Sequence, residues 1–374
     1  MHFVKRVFQT AVFLVNILVA LMLLLSYLSS SISPTTFWPL AVFGMLYPYL
    51  LLFNVIFAVY YLLGKSHKLW LSVIVLALYF PRHWDQFQLI DHSNWEKEAG
   101  DLKVLSYNVR LFNKYGWKPD NQAKQKIFDF VKEQEADILL FQEFYHISDH
   151  PQFGAIEDMI VHSKAPYYYF ERFEPATDKR FFGLAIFSKY PIVASGIVVA
   201  SKTKGKARAT FADIVIEKDT VRAYNLHLRS LRFVGSDYSF LQDPDQLYSN
   251  DRMVRSKEII KKLRDAFKDR AIESEHIKAH IENCPYPVIL GGDFNDPPYT
   301  YSYYQMFPIL QDAFKENGFG LGFTYEGTGW LPPYRIDYLM HGNQFESRAF
   351  KTHSDIDLSD HNPITMLVNR NNKN

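Results

Sequence analysis

Residues 7–64 contain no Asp, Glu, Lys or Arg. Within this run, 7–28 and 37–63 are each apolar over at least the ~20 residues that a helix needs to cross a bilayer. Residues 30–36, with Pro34, form the expected turn between them. A third apolar segment, 69–80, has 12 residues between Lys68 and Arg82. That is short for a crossing, but Trp70 and Trp84 stand near its ends, as aromatics do at a membrane interface. Lys5 and Arg6 favour a cytoplasmic N-terminus, and Lys65 and Lys68 mark a return to that side. If 69–80 also crosses, everything after it lies outside. The pattern predicts three crossings and an exported domain. A cleaved signal peptide is the alternative for the first segment, but no small-residue cleavage site is visible before the second apolar run.

Residues 85–100 are polar and read as a linker, and the pattern changes at Asp101. Short apolar or alternating runs predict strands at 103–107, 138–141, 183–188, 209–216, 220–228, 288–290, 336–340 and 364–368. Helical spacing appears at 121–135, where Ile127, Phe130 and Val131 share a face, and again at 251–267. Strands interleaved with helices, together with paired strands, predict a layered α/β domain over 101–374 with two packed sheets. Residues 1–84 are then the membrane region, with two or three transmembrane helices.

Charge excludes little. The chain carries net +1, and 101–374 holds 35 basic and 36 acidic residues, without the basic excess of a typical duplex-DNA binder. Lys202, Lys204, Lys206 and Arg208 read as an exposed loop before a strand, and Arg252, Arg255 and Lys257 as a solvated helix face. The single cysteine, Cys284, excludes an intramolecular disulfide and reads as packing. Tyr167–Tyr169 reads as packing or rim, whereas the Tyr299–Tyr304 stretch is expected to shape substrate access.

The chemistry sits at the ends of the apolar runs. Glu143 follows ILLFQ, Asp293 and Asn295 follow VILGG, Asp337 lies in RIDYLM, and Asp360–His361 precede NPITMLV. Half-buried carboxylates need partners, and one hard divalent cation would serve several of them. Asp293 and Asn295, two apart, point the same way in extended chain, though a Gly-Asp turn would show the same letters. Glu143 alone reads equally as a cap, and His227 alone as a structural histidine.

Taken as an ordered set, SYNVR (106–110), LFQE (140–143), NLHL (225–228), GGDFND (291–296), RIDY (335–338) and SDHNP (359–363) closely resemble the endonuclease/exonuclease/phosphatase superfamily, the metal-dependent hydrolases related to DNase I. GLAIFSKYPI at 183–192 resembles a family strand. The resemblance covers about residues 101–370. It implies a four-layer α/β sandwich and phosphoester hydrolysis with Mg²⁺ or Mn²⁺. It further implies Glu143 as principal metal ligand, supported by Asn108 and Asp360. Asp293 would position or activate water, Asn295 would bind the scissile phosphate, and His361 would contact it, oriented by Asp337. His227 and Tyr224 would lie on the leaving-group or phosphate side. Abasic-site endonucleases of the superfamily usually carry Asn where His227 stands, which weakens a repair role. The organisation is similar to bacterial members with a multi-span N-terminus, implying an inner-membrane protein with its hydrolase domain on the periplasmic side. The expected partners are the bilayer and a phosphate ester (a lipid headgroup, a nucleotide, a small phosphate ester or nucleic acid), with no obligate protein partner. Two other readings are a membrane-tethered nuclease and a catalytically inactive binding domain.

Overall fold

The computed structural model describes residues 2–78, 80–113, 122–147, 154–172, 180–200, 207–233, 235–242, 250–327 and 333–370. Five helices come first: α1 (His2–Ser29), α2 (Pro34–Phe37), α3 (Pro39–Leu63), α4 (Leu69–Leu78) and α5 (Phe80–His83). The chain then runs through β1 (Leu102–Asn108), α6 (Ala123–Gln134), β2 (Ile138–Ile147), α7 (Ala155–Ser163), β3 (Tyr167–Arg172), β4 (Arg180–Ser188), β5 (Ile192–Ala200), β6 (Ala207–Ile216) and β7 (Asp219–His227). Next come α8 (Gly235–Gln242), α9 (Asn250–Glu282), β8 (Val288–Asp293), α10 (Tyr301–Met306), β9 (Gln311–Asp312), α11 (Ala313–Asn317), β10 (Asp337–His341), β11 (Phe345–Thr352) and β12 (Ile364–Arg370).

The strands form two six-stranded sheets, ordered β11-β12-β1-β2-β4-β3 and β5-β6-β7-β8-β10-β9. Two pairs, β1 with β2 and β7 with β8, are parallel, and each is joined by helical crossovers, as parallel neighbours require. Alternation along each strand divides its side chains between two cores. Val104, Ile138 and Leu140 of the first sheet meet Ala223, Ile289 and Leu339 of the second. The outward Leu105, Leu139 and Phe141 pack with Ile127 and Met159 of α6 and α7. The outward Tyr224, Leu226 and Leu290 pack with Ile277 and Tyr303 of α9 and α10. The result is helices, sheet, sheet, helices: the four-layer sandwich that the resemblance implies.

The N-terminal helices are docked onto this sandwich. Tyr47 of α3 stacks on Tyr299 with ring centroids 3.6 Å apart, and Ser29 of α1 donates to the Tyr299 carbonyl at 2.9 Å. The 85–100 stretch is held along its length as well. Asp85 pairs with Lys315 and accepts from Tyr304, Ser93 bonds the Asn317 and Phe350 carbonyls, and Glu98 pairs with Arg348. Residues 202–206, part of the basic cluster noted in the sequence, lie outside the described residues. Arg208 is not in an exposed loop: it is buried in β6, 3.3 Å from Glu273.

Candidate active site

The candidate residues gather because they share a strand face. In β7 the outward positions Tyr224 and Leu226 join the outer core, so Asn225 and His227 face the other sheet. By the same parity Asn108, Gln142, Asp293 and Asp337 face inward at one end of the sandwich, on β1, β2, β8 and β10. Glu143 follows Gln142 directly and by strict alternation would face away. A break in pairing between Phe141 and Phe144, with Glu143 at φ +52°, turns it back to the cleft. Glycine brings the sheets together here. A Cβ on Gly291 would lie 2.6 Å from Leu140 Cδ1, and Gly292, at φ +141°, sits against the Leu226 backbone.

Asp293 is the hub. Its Oδ1 accepts from the Asn295 backbone N–H at 2.7 Å, and its Oδ2 accepts from Asn108 Nδ2 and Asn295 Nδ2, each at 3.1 Å. The Asx turn that competes with a catalytic reading of GGDFND is therefore present, and it fixes the carboxylate in the site. Asn295, itself at φ +52°, also donates to the Leu228 carbonyl at 3.1 Å. His361 Nδ1 lies 2.9 Å from Asp337 Oδ2, and its Nε2 points toward Asp293 Oδ2 at 3.8 Å. His227 Nε2 is 3.6 Å from Asp293 Oδ2 and 3.9 Å from Glu143 Oε1. Ser359 donates to the Asn108 carbonyl at 2.8 Å, tying the loop that carries Asp360 and His361 to the end of β1. Asp360 also lies 3.5 Å from Arg110.

Asp293 and Asp337 both face His361, and the titration of Asp293 and His361 reflects it. Burial pushes the Asp293 carboxyl up to about 7; nearby Asp337 pushes the same way, against the opposing pull of His361. Burial alone would lower His361, but Asp337 and Asp293 together raise it to about 10, so it is an imidazolium at neutral pH. Asp293, Asp337 and His361 offer ligand atoms within 4.8 Å of one another, a group competent to hold a divalent ion. Glu143, Asn108 and Asp360 line the same cleft with further oxygen donors, the chemistry that Mg²⁺ prefers.

Tyr224 is the exception among the expected residues. Three positions before His227, it lies on the opposite face of β7, in the outer core, and its hydroxyl bonds His280 Nδ1 at 2.8 Å. Tyr299 and Tyr303 are also corrected: both are buried, the first against α3 and the second against β10, so neither shapes substrate access. Sequence reasoning missed two supporting pairs. Gln142 donates to Asn225 Oδ1 at 2.7 Å, and Asn225 donates to the Phe141 and Ala185 carbonyls at 2.9 Å, so this pair bolts the two sheets together beside the site. Asp296 pairs with Arg270 at 2.8 Å, both buried, holding the loop after β8 against α9. Inward parity in QE and NLH was the available signal for the first pair; Arg270, distant in sequence, gave none.

Comparison with known proteins supplies the lineage. The family model described as Endonuclease/Exonuclease/phosphatase family matches residues 105–361, and a model described only as a domain of unknown function matches 6–85. A search of curated proteins finds no match. Among solved structures, an endonuclease/exonuclease/phosphatase family protein from Leptotrichia buccalis aligns with TM-score 0.50 at 15% identity, covering 71% of this chain and 99% of that one. The human Nocturnin catalytic domain with bound sulfate anion aligns with TM-score 0.50 at 15% identity, covering 78% and 98%. These likenesses concern the fold. With the family match running from β1 to His361, and a group competent for a divalent ion lying inside that match, the chain belongs to the endonuclease/exonuclease/phosphatase family and is a metal-dependent phosphoric ester hydrolase.

Proposed function

We propose that the protein is a membrane-anchored phosphodiesterase or phosphatase that uses Mg²⁺, or Mn²⁺, at the cleft lined by Glu143 and His361. The observation that carries this reading is the buried group of Asp293, Asp337 and His361, whose ligand atoms lie within 4.8 Å of one another. By the family resemblance Glu143, Asn108 and Asp360 would hold the ion, beside the group of Asp293, Asp337 and His361. When bound, the ion supplies positive charge to the non-bridging phosphate oxygens and acidifies water. Asp293, its carboxylate fixed by the Asn295 backbone N–H and Asn108, orients the attacking water and takes its proton. On substrate binding, Asn295 exchanges its hydrogen bond to Asp293 for one to a phosphate oxygen. His361, cationic and fixed by Asp337, clamps the same phosphate. His227 stands on the leaving-group side.

Membrane anchoring by residues 1–84 has its own support. Phe3–Ser29 and Pro39–Leu63 are long and apolar enough to cross a bilayer, and only 28% and 22% of their most apolar stretches are buried, unlike core helices of a soluble protein. The path of 69–83 favours three traverses. It starts with Lys68 over the Phe13 ring, passes Ser72 beside Asn16, and ends with Arg82 bonded to Ser30. The chain thus returns to the C-terminal end of α1, opposite Lys5 and Arg6. By the positive-inside rule the hydrolase domain, 101–374, then lies outside a bacterial inner membrane, with 85–100 as its strap. Apolar side chains beside Arg110 and Arg232 in the cleft favour a small or amphiphilic ester over a nucleic-acid strand.

The test is hydrolysis by the full-length protein, with Mg²⁺ or EDTA, of plasmid DNA, RNA, sphingomyelin, phosphoinositides and bis(4-nitrophenyl) phosphate, with Glu143→Ala alongside. Metal-dependent cleavage absent in the variant is expected. Equal cleavage by the variant would defeat the assignment of Glu143, and selective nucleic-acid cleavage would make the anchor a tether for a nuclease.

A further inference from the structure

The cleft containing Glu143 and His361 has a wall that the sandwich does not provide. Met45, Leu46 and Tyr49 of α3 line it, together with Ile259, Leu263 and Phe267 of α9, and the whole encloses about 820 Å³. The volume falls within the range of built ligand sites. The wall is fixed in place: the Tyr334 hydroxyl donates to the Met45 carbonyl at 3.3 Å, Tyr49 meets the Tyr334 ring edge-on, and the Tyr47–Tyr299 stack lies just behind. The cleft is therefore bipolar. The strand-end side has the carboxylates, His361 and Arg110; the side made by α3 and α9 is hydrocarbon.

The apolar end continues onto open surface. Past Tyr49, α3 presents Leu52, Phe53, Val55 and Ile56 outward, the face that a bilayer would cover. The first half of α9 exposes Met253, Val254 and Ile260, interspersed with Arg252, Arg255, Lys257 and Lys261, the mixture that suits the headgroup level of an anionic membrane. A purely water-soluble ester would leave this apolar wall wet, whereas an alkyl chain would cover it.

We infer that the substrate is a lipid-borne phosphoester whose phosphate reaches Glu143 and His361 while its hydrocarbon lies in the slot between α3 and α9, entered sideways from the bilayer. This rests on the anchored-hydrolase reading above, and the test separates the two.

Full-length protein in dioleoylphosphatidylcholine nanodiscs is given Mg²⁺ and 4-nitrophenyl phosphodiesters whose second ester group is methyl or hexadecyl. The expected kcat/KM favours the hexadecyl ester by at least about tenfold. Partitioning of that ester into the disc would also favour it, so the deciding comparison is Leu46→Trp. Leu46 is 36% exposed, and the larger ring fills the slot with little strain on the core. The hexadecyl-to-methyl ratio should fall by about tenfold in this variant. A ratio unmoved by Leu46→Trp, or near one in the native protein, overturns the lipid inference and leaves the hydrolase standing. If neither ester is cleaved, the hydrolase reading loses its support and binding decides the slot. Hexadecyl phosphate carrying a diazirine midway along its chain should label 45–49 and 259–267 on photolysis; labelling confined to other segments overturns the slot.

Discussion

Two buried groups of charges in this protein are built in opposite ways. Beneath the docked helices, two carboxylates meet two cations: Arg335 pairs with Asp312 at 2.7 Å and also holds the Asp85 carbonyl, while Lys315 pairs with Asp85. At the cleft, two buried carboxylates, Asp293 and Asp337, share His361, and burial pushes Asp293 toward protonation. A balanced group needs nothing further and joins α5, α11 and β10 into one rigid support. An unbalanced group persists only where the fold holds carboxylates against their own repulsion, and such places are where cations and substrates bind. Balance, more than burial, separates the structural charges from the functional ones.

The sharpest way to break the comparison is to neutralise one member of each group. Asp293→Asn should lower kcat by about a thousandfold or more while leaving the metal-free fold as stable or more so, as read by steady-state kinetics and chemical denaturation. Arg335→Met should do the reverse, costing about 3–5 kcal/mol by stranding Asp312. If both variants lost stability equally, the distinction would collapse. Saturating the cleft with Mg²⁺ at about a hundred times its Kd should add about 2.7 kcal/mol to unfolding, and Glu143→Gln should remove that gain.

The pH dependence of the metal-free protein sharpens the same point. His361 has a folded-state pKa near 10, above its ordinary 6.5. Its contribution is complete below 6.5 and is lost as pH rises through 10. Asp293, raised from 3.8 to about 7, acts in the same direction, since over that window the unfolded chain gives up a proton that the fold retains. Stability should therefore fall as pH is raised from 5 to 9, by about 6 kcal/mol if the two contributions add, and Asp337→Asn should flatten the upper part of that fall. The smallest effect belongs to Tyr224→Phe. Its hydroxyl serves His280 on the outer face, so about 1 kcal/mol of stability should go and kcat should hold. A large loss of turnover would place Tyr224 back in the site.

What could be read from the sequence follows burial. The eight strands expected from apolar runs are β1, β2, β4, β6, β7, β8, β10 and β12, every one of them interior to its sheet. The four not expected, β3, β5, β9 and β11, are the four edges. An edge strand has one neighbour and more solvent, so its residues need not be apolar: β5 carries Gly196 and exposed Val193 and Ile197, and β9 has only two residues. The candidate residues that gather at the cleft were legible as ends of interior runs. Glu143 could be placed only because its motif resembles a family's, since strict alternation points it the wrong way and the bulge that corrects it leaves no mark in ILLFQEF. Tyr224 failed for the complementary reason: parity counted from His227 already put it on the outer face. The seat of the helices on the cleft rests on pairs as distant as Tyr47 and Tyr299, for which local pattern gives no signal.

The most direct test of the central claim is calorimetric titration of Mg²⁺ into the full-length, metal-stripped protein at pH 7.5, with native, Glu143→Gln and Arg335→Lys forms compared. The account predicts saturable binding in the native form, its loss in Glu143→Gln, and its retention in Arg335→Lys. Equal binding in Glu143→Gln, or loss only in Arg335→Lys, would contradict it and move the cation site away from the carboxylates that face His361.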